Sequence, residues 1–319
     1  MVDIVVIGAG IVGLGCAYHL RQDGLAVSVV DRDPEGDKCS FGNAGGIGIS
    51  EVVPAAVPGV FWRVPGWLLD PLGPLALRPS HAPRLIPWLL RFSRSAAPGE
   101  VARISAALAA LNLRVYDDLV PMLAATGLSG ELVRKGALSV YESEAGYRRD
   151  GAEWALKRSL GIETQEISGE EARRMEPALG PIVQRGILTP QWGHVSDPKR
   201  IVDGVRRWLQ ANGVEFVRGE VSSVAVSGAP AVVLTDGRRL EAAKLVVAAG
   251  AWSGALALGI GDPVLLESER GYNTTLPQPG VLLGQEVIFA ERKFTATPLS
   301  CGLRIGGAAE FAGLSAPPN

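Results

Sequence analysis

A chain of 319 residues with 47% hydrophobic and 20% charged side chains has the composition of a soluble globular protein and the length for two domains. Its formal net charge of -2 leaves no electrostatic footprint for a polynucleotide partner. Cys16, Cys39 and Cys301 are too few and too scattered for a disulfide framework or a zinc site, so no metal is expected and a reducing, cytoplasmic compartment is the simpler assumption.

Residues 2–31, VDIVVIGAGIVGLGCAYHLRQDGLAVSVVD, predict strand, glycine turn, helix and second strand. The start carries Asp3 and no basic segment, and the glycine turn interrupts the apolar run, so it reads as neither signal peptide nor membrane span. Gly8, Gly10 and Gly13 satisfy G-x-G-x-x-G: the first permits a tight turn, the second lets backbone approach a pyrophosphate, and the third lets helix pack on strand. The helix N-terminus then faces the phosphates. Asp31 lies 18 residues beyond Gly13, where a carboxylate accepts hydrogen bonds from both ribose hydroxyls of an adenosine. A dinucleotide site is the expectation, with a glycine-rich βα turn that binds nothing as the alternative.

Residues 40–48, SFGNAGGIG, follow the second strand; their glycines suit backbone amides turned toward an anion or a flat ring, or else a flexible surface loop. In residues 54–94 prolines, Trp62, Trp67, Trp88 and arginines accumulate against the single acid Asp70. That composition reads as a proline-punctuated excursion packed on its own domain, a lid over the substrate site, or a surface dipping into a membrane interface. No amphipathic helix long enough to decide is expected there. Residues 101–125 predict one long helix whose stripe Ile104, Leu108, Leu111, Val115 and Leu119 is core.

Strands of a second sheet are expected at 136–141, 162–167 and 182–188, interleaved with helices at 145–160 and 170–175, the latter opened by a Ser168–Glu171 capping box. Asp197-Pro198 opens a helix through Gln210, with the acid as N-cap and proline in the first turn. Strands at 214–217 and 221–226, a hairpin turn at 235–238 and a buried strand at 244–250 ending in GAWS come next, with Gly250 at a strand end where backbone approaches a ligand. Residues 264–266, 286–291 and 303–306 are strand-like. The order cofactor half, long insertion, cofactor half, insertion departs from consecutive βαβ units and tilts the dinucleotide from NAD toward FAD.

Taken together, GAGIVGLGCAYHL, VVDRD, SFGNAGG, WGHVSDPKRIV, LVVAAGAWSG, ERGYNTTLP and LRIGGAAEF resemble the D-amino-acid oxidase/dehydrogenase family of FAD enzymes, and most of all its bacterial D-amino-acid dehydrogenase branch. The resemblance spans essentially the whole chain. It implies an α/β fold: a Rossmann-like FAD-binding domain of the glutathione-reductase type from residues 1–50 and 197–258, with an interleaved α+β substrate domain from 51–196 and 259–319 on an antiparallel or mixed sheet. It also implies that Gly8, Gly10 and Gly13, with Ile11 and Val12, hold the pyrophosphate, that Asp31 holds the ribose, and that Arg32 lies near adenine. Ser40, Asn43, Ala44, Gly45 and Gly46 would reach the pyrophosphate, ribityl chain and isoalloxazine, Val221 would meet adenine, and Ala249, Gly250 and Trp252 would flank the phosphates. The FAD is expected to be non-covalent; Cys39 is the nearby residue for attachment but reads as a small side chain before a loop. The family continues past LRIGGAAEF into a Gly-x-Arg-Pro segment that closes over the ring, whereas this chain stops at Asn319, so an incomplete closure is expected.

The implied reaction is oxidative deamination of a D-amino acid, with the Cα hydrogen passing as hydride to flavin N5 and the imino acid hydrolysing to 2-oxo acid and ammonia. The substrate carboxylate calls for an arginine and a tyrosine, for which Arg270, Tyr272 and Arg304 are the catalytic candidates. Each has a plain alternative, an ion pair beside Glu267 and Glu269 for Arg270 and a solvent-facing strand residue for Arg304. His194 either approaches the ring or holds backbone, and His19 reads as a helix residue. Alternatives to the D-amino-acid reading are a related secondary-amine oxidoreductase, a nicotinamide-linked dehydrogenase, and a truncated flavoprotein without activity. The expected acceptor is a quinone or another carrier, with peripheral contact at the inner membrane through residues 54–94.

Overall fold

The computed structural model describes residues 2–70 and 73–319. The chain opens with β1 (Val2–Ile7), α1 (Ile11–Gln22), β2 (Val27–Asp31) and the short β3 (Gly46–Ile47). An excursion follows: α2 (Val60–Leu69), β4 (Leu75–Leu77), α3 (Ala82–Ser95), α4 (Pro98–Asn112) and α5 (Val115–Ala125). Next come β5 (Leu132–Val133), β6 (Ala137–Tyr141), α6 (Glu144–Arg149), α7 (Gly151–Ser159), β7 (Gln165–Ser168), α8 (Gly169–Met175), β8 (Arg185–Thr189) and β9 (Gly193–Val195). Then α9 (Pro198–Ala211) leads into β10 (Glu215–Arg218), β11 (Val221–Ala225), β12 (Ala231–Leu234), β13 (Arg239–Val247) and α10 (Ser253–Gly259). The last strands are β14 (Arg270–Leu276), β15 (Glu286–Phe289), β16 (Phe294–Leu299) and β17 (Gly302–Phe311).

Six strands form one sheet in the order β10-β2-β1-β13-β12-β11. The first four run parallel, and the β11-β12-β13 meander is antiparallel. β1 is central and apolar on both faces: Ile4 and Val6 pack with α1 and α9, whereas Val5 and Ile7 join Val232, Leu234 and Leu256 on the other side. α9 closes the first face because Ile201, Val202, Val205 and Leu209 recur at helical spacing, and the Asp197 carboxylate caps it by accepting from Lys199 N at 2.8 Å. The mixed second sheet runs β14-β17-β16-β15-β6-β8-β7, with β4 paired to β17. A third, three-stranded sheet, β3-β9-β5, ties the 40–48 loop to β9.

The structure departs from the sequence reading at several points. Residues 101–125 are two helices, broken between Leu113 and Arg114, because Val101, Ser105 and Ala109 face the core while Leu111 of the expected stripe is 72% exposed. The helix expected at 145–160 likewise breaks at Asp150, which ends α6 and begins α7. Residues 264–266 form no strand. β13 stops at Val247 and is half-buried to exposed toward that end, because the carboxyl edge of the sheet is open there. In the 54–94 stretch, of which residues 71 and 72 lie outside the described residues, α3 is an amphipathic helix of 14 residues with Pro83 in its first turn. Pro87 removes one backbone donor without ending it.

Candidate functional site

The turn between β1 and α1 leaves no room for a Cβ at Gly8 or Gly13. Gly8 has φ +111°, and a Cβ on it would lie 2.4 Å from the Ala248 carbonyl oxygen. A Cβ on Gly13 would lie 1.9 Å from the Gly8 carbonyl oxygen. Gly10 is different, for its missing Cβ would meet only Ser40 Oγ, at 3.6 Å. The space above Gly10 is therefore open to a ligand rather than filled by protein. Ile11 N donates to Ser40 Oγ at 3.1 Å, and Val12 beside it is 67% exposed.

Asp31 ends β2 at the mouth of this cradle. Its Oδ2 accepts from Ala9 N and its Oδ1 from Asp33 N, each at 2.8 Å, with Lys38 Nζ at 3.1 Å. Burial opposes its charge, but these donors outweigh burial and hold the carboxyl below the usual range. Arg32 stacks over the Trp252 ring at 4.1 Å, joining two predicted residues that are distant in sequence. Ala248 N donates to Ile7 O at 2.8 Å, which brings Ala249 and Gly250, the latter with φ +56°, beside the glycine turn. Val221 begins β11, paired with Leu234.

The 40–48 loop is pinned from within and without. Asn43 Oδ1 accepts from Gly45 N at 2.7 Å, and Asn43 Nδ2 donates to Ser40 O at 2.7 Å. The Arg304 guanidinium donates to the Phe41 and Asn43 carbonyls at 3.0 and 2.7 Å. A cavity of about 570 Å³ lies against the loop, walled by Ile11, Ser40, Asn43, Ala44, Gly45 and Gly46 on one side. Leu119, Met122, Ile201 and Val202 from the helices, and Trp192, Glu286 and Thr295, complete it. An anion-receptive helix N-terminus thus opens beside a largely apolar chamber, which fits a dinucleotide whose far end carries a flat ring. Ile11, Ser40, Asn43, Ala44, Gly45 and Gly46, all expected cofactor contacts, are brought together on this one wall.

The three predicted carboxylate binders are not on this wall. Arg270 donates to Glu310 Oε2 at 2.9 Å and to the Ala316 carbonyl at 2.7 Å, and Tyr272 Oη donates to Glu310 at 2.6 Å. Glu310 is 1% exposed, and the Tyr272 hydroxyl, with Arg78 and Arg270, holds it down to about 2. Arg270 and Tyr272 therefore serve a buried carboxylate, and Arg304 serves the loop backbone. His194 sits buried in β9, its Nδ1 without a hydrogen-bond partner among the described residues; burial, with Lys135 nearby, lowers its pKa. His19 is exposed on α1, Cys39 is free and exposed, and no metal-binding cluster occurs among the described residues.

Glu286 is the wall residue that sequence reasoning missed. It is 2% exposed, and Trp192 Nε1 donates to its Oε2 at 2.9 Å. Burial pushes its carboxyl up to about 7, the Trp192 donor opposes this, and Glu51 adds to the rise. An acid at the head of an apolar strand carries no spacing signal in the sequence; only the packing of β15 between β16 and β6 puts it inside.

The comparisons agree with this geometry. The family model described as FAD dependent oxidoreductase, DAO, matches residues 3–319. The chain is 34% identical to a D-amino-acid oxidase of Bradyrhizobium diazoefficiens, covering 99% of this chain and 76% of that protein. It is 33% identical to D-amino acid dehydrogenase 2 of Ralstonia nicotianae, covering 98% and 77%. Its fold is similar to that of glycine oxidase from Bacillus cereus, with a TM-score of 0.68 at 18% identity over 99% of this chain and 73% of that one. An iminodiacetate oxidase from Chelativorans sp. gives 0.67 at 22% over 99% and 74%. A glycine cradle that leaves open space at Gly10, closed by an acid and backed by a largely apolar chamber, is thus accompanied by a match along nearly the full length: the chain belongs to the DAO family of FAD-dependent oxidoreductases.

Proposed function

We propose that this enzyme oxidises D-amino acids to 2-oxo acids and ammonia with a non-covalently held FAD. The observation that carries the reading is the open space at Gly10 beside Ser40, a residue that also walls the chamber, combined with the D-amino-acid oxidase and dehydrogenase relatives. In this reading residues 1–50 and 197–258 form the FAD-binding domain and residues 51–196 and 259–319 the substrate domain. Gly8, Gly10, Ile11, Val12 and Gly13 take the pyrophosphate, with Ala249, Gly250 and Trp252 flanking it, Asp31 the ribose, Arg32 and Val221 the adenine end, and Ser40, Asn43, Ala44, Gly45 and Gly46 the remainder. Bound there, FAD supplies a two-electron acceptor for the substrate Cα–H bond. The protein's own part is to fix the loop through Arg304, to exclude water with Leu119, Met122, Ile201 and Val202, and to present Cα to the chamber.

Oxidation of a secondary amine is the second reading. Among the described residues the ionisable side chains on the chamber wall are the acids Glu51 and Glu286, with no arginine or lysine, which suits an amine better than a carboxylate. One experiment separates these readings: the visible spectrum of the FAD-loaded chain is followed anaerobically with D-alanine, L-alanine and sarcosine. Bleaching by D-alanine alone supports the first reading, bleaching by sarcosine alone the second, and no bleaching by any of them counts against both.

We also infer that the enzyme rests on the cytoplasmic face of the inner membrane and passes electrons to a quinone. No described helix is long and apolar enough to cross a membrane. α2 nevertheless exposes Trp62 at 90% and Leu69 at 83%, and α3 exposes Ile86 and Leu90 beside the exposed Arg84, Arg91 and Arg94. Phe61 meets Phe92 edge-on at 5.9 Å, so the two helices present one plate.

A further inference from the structure

Among the groups around the chamber that the proposed chemistry leaves unused, Glu286 is the most constrained. Its carboxyl lies so close to Gly46 that a Cβ there would be 2.4 Å from Oε2 and 2.9 Å from Oε1. The loop predicted to meet the ring and the carboxyl on β15 therefore form one surface, and only glycine at position 46 allows it. No ion pair to Glu286 exists among the described residues, although it is almost fully buried. Lys157, the buried cation of this region, is instead 3.0 Å from Glu153 and 3.5 Å from Glu51. His194 on β9, paired with Gly46, has its pKa lowered by burial and by Lys135, while β6 and β16 bring Ala137, Thr295 and Thr297, which carry no charge. The nearest like charge, Glu51, is on the same wall. An ionised carboxylate at this place would have burial, the largest effect, and Glu51 against it, and the Trp192 indole N–H and the Thr297 hydroxyl in its favour.

We propose that Glu286 stands in the chamber as a neutral carboxylic acid and is a positioning residue for the flavin ring, offering the O–H of Oε1 to an acceptor atom of that ring while Oε2 accepts from Trp192. This rests on the ring occupying the chamber. Loss of that proton places a bare negative charge against the bound group, so the site titrates between tight and weak binding.

The test is FAD binding to the full chain, read by quenching of flavin fluorescence at pH 6 and pH 8, for the wild type, E286Q, E51Q and H194Q. With a midpoint of about 7, the wild type should bind about tenfold more weakly at pH 8 than at pH 6. E286Q, which cannot ionise and keeps a donor, should bind equally at both pH values. E51Q should move the midpoint down, and H194Q should keep the dependence. In the FAD-free chain, an infrared band of a neutral carboxyl should be lost between pH 6 and pH 8 and be absent from E286Q. Tight binding with no pH dependence in the wild type, or the same tenfold loss in E286Q, overturns the proposal while leaving the ring assignment intact. Failure of every variant to take up FAD overturns the ring assignment and this proposal with it.

Discussion

Gly13 packs so closely on Gly8 that its Cα faces the Gly8 carbonyl oxygen with no room for a methyl group, since a Cβ would lie 1.9 Å away. Gly13 is thus spent on holding α1 against the turn, and Gly8 on the approach of the Ala248 carbonyl. Gly10 between them is spent on open space.

That division predicts different failures. Gly13→Ala must push α1 off β1 and should cost about 1–3 kcal/mol, seen as a lower Tm. Gly10→Val should leave Tm nearly unchanged and abolish retention of flavin, measured as absorbance per chain after gel filtration. Unchanged flavin content in Gly10→Val would remove the cofactor from this turn.

Asp31→Asn keeps the shape but leaves one of the donors Ala9 N and Asp33 N, or Lys38, facing an amide nitrogen. The expected loss is about 1–2 kcal/mol of stability together with weaker FAD binding. Because the folded-state pKa of Asp31 is depressed, its contribution is fully present above the ordinary carboxylate range and fades as pH falls through the folded value. Tm measured down to pH 3 should therefore fall less steeply for Asp31→Asn than for the wild type.

Glu286 has the opposite sign. Its folded pKa is raised, to about 7 against 4.5, so the folded state holds the proton more tightly and stability falls as pH rises through that interval. Glu286→Gln should match the wild type near pH 4.5 and exceed it at pH 8 by an amount on the order of 3 kcal/mol at most. Equal Tm differences at both pH values would show that Glu286 is ionised in the folded chain.

Arg304 and Arg270 should separate cleanly. Arg304→Lys loses the Nε bond to Thr275 Oγ1 that aims Nη1 at the Phe41 and Asn43 carbonyls, and should weaken FAD binding about tenfold with little change in Tm. Arg270→Ala strips a donor from the buried Glu310 and should lower Tm while leaving FAD affinity in place. Loss of flavin with unaltered Tm in Arg270→Ala would return that residue to the site.

Trp62→Ser with Leu69→Ser should halve or abolish sedimentation of the protein with vesicles containing anionic phospholipid, leaving the flavin spectrum unaltered. Binding that persists in the double variant would place any membrane contact elsewhere.

The sequence by itself determined the cradle, the first two strands, the capping of α8 by Ser168 and Glu171 and of α9 by Asp197, and the family. These are local matters: glycine spacing, a cap three residues from its partner, and apolar periodicity act within a few turns of chain, so residue order alone expresses them. Tertiary structure alone decided the rest. Arg270 meets Glu310 40 positions away, and Arg304 meets Asn43 across 261, so no spacing could reveal that both guanidiniums are already engaged. The helix break after Leu113 and the burial of Glu286 beside Gly46 likewise depend on which faces the neighbouring elements cover, a property of packing between distant segments that the amino-acid order does not display.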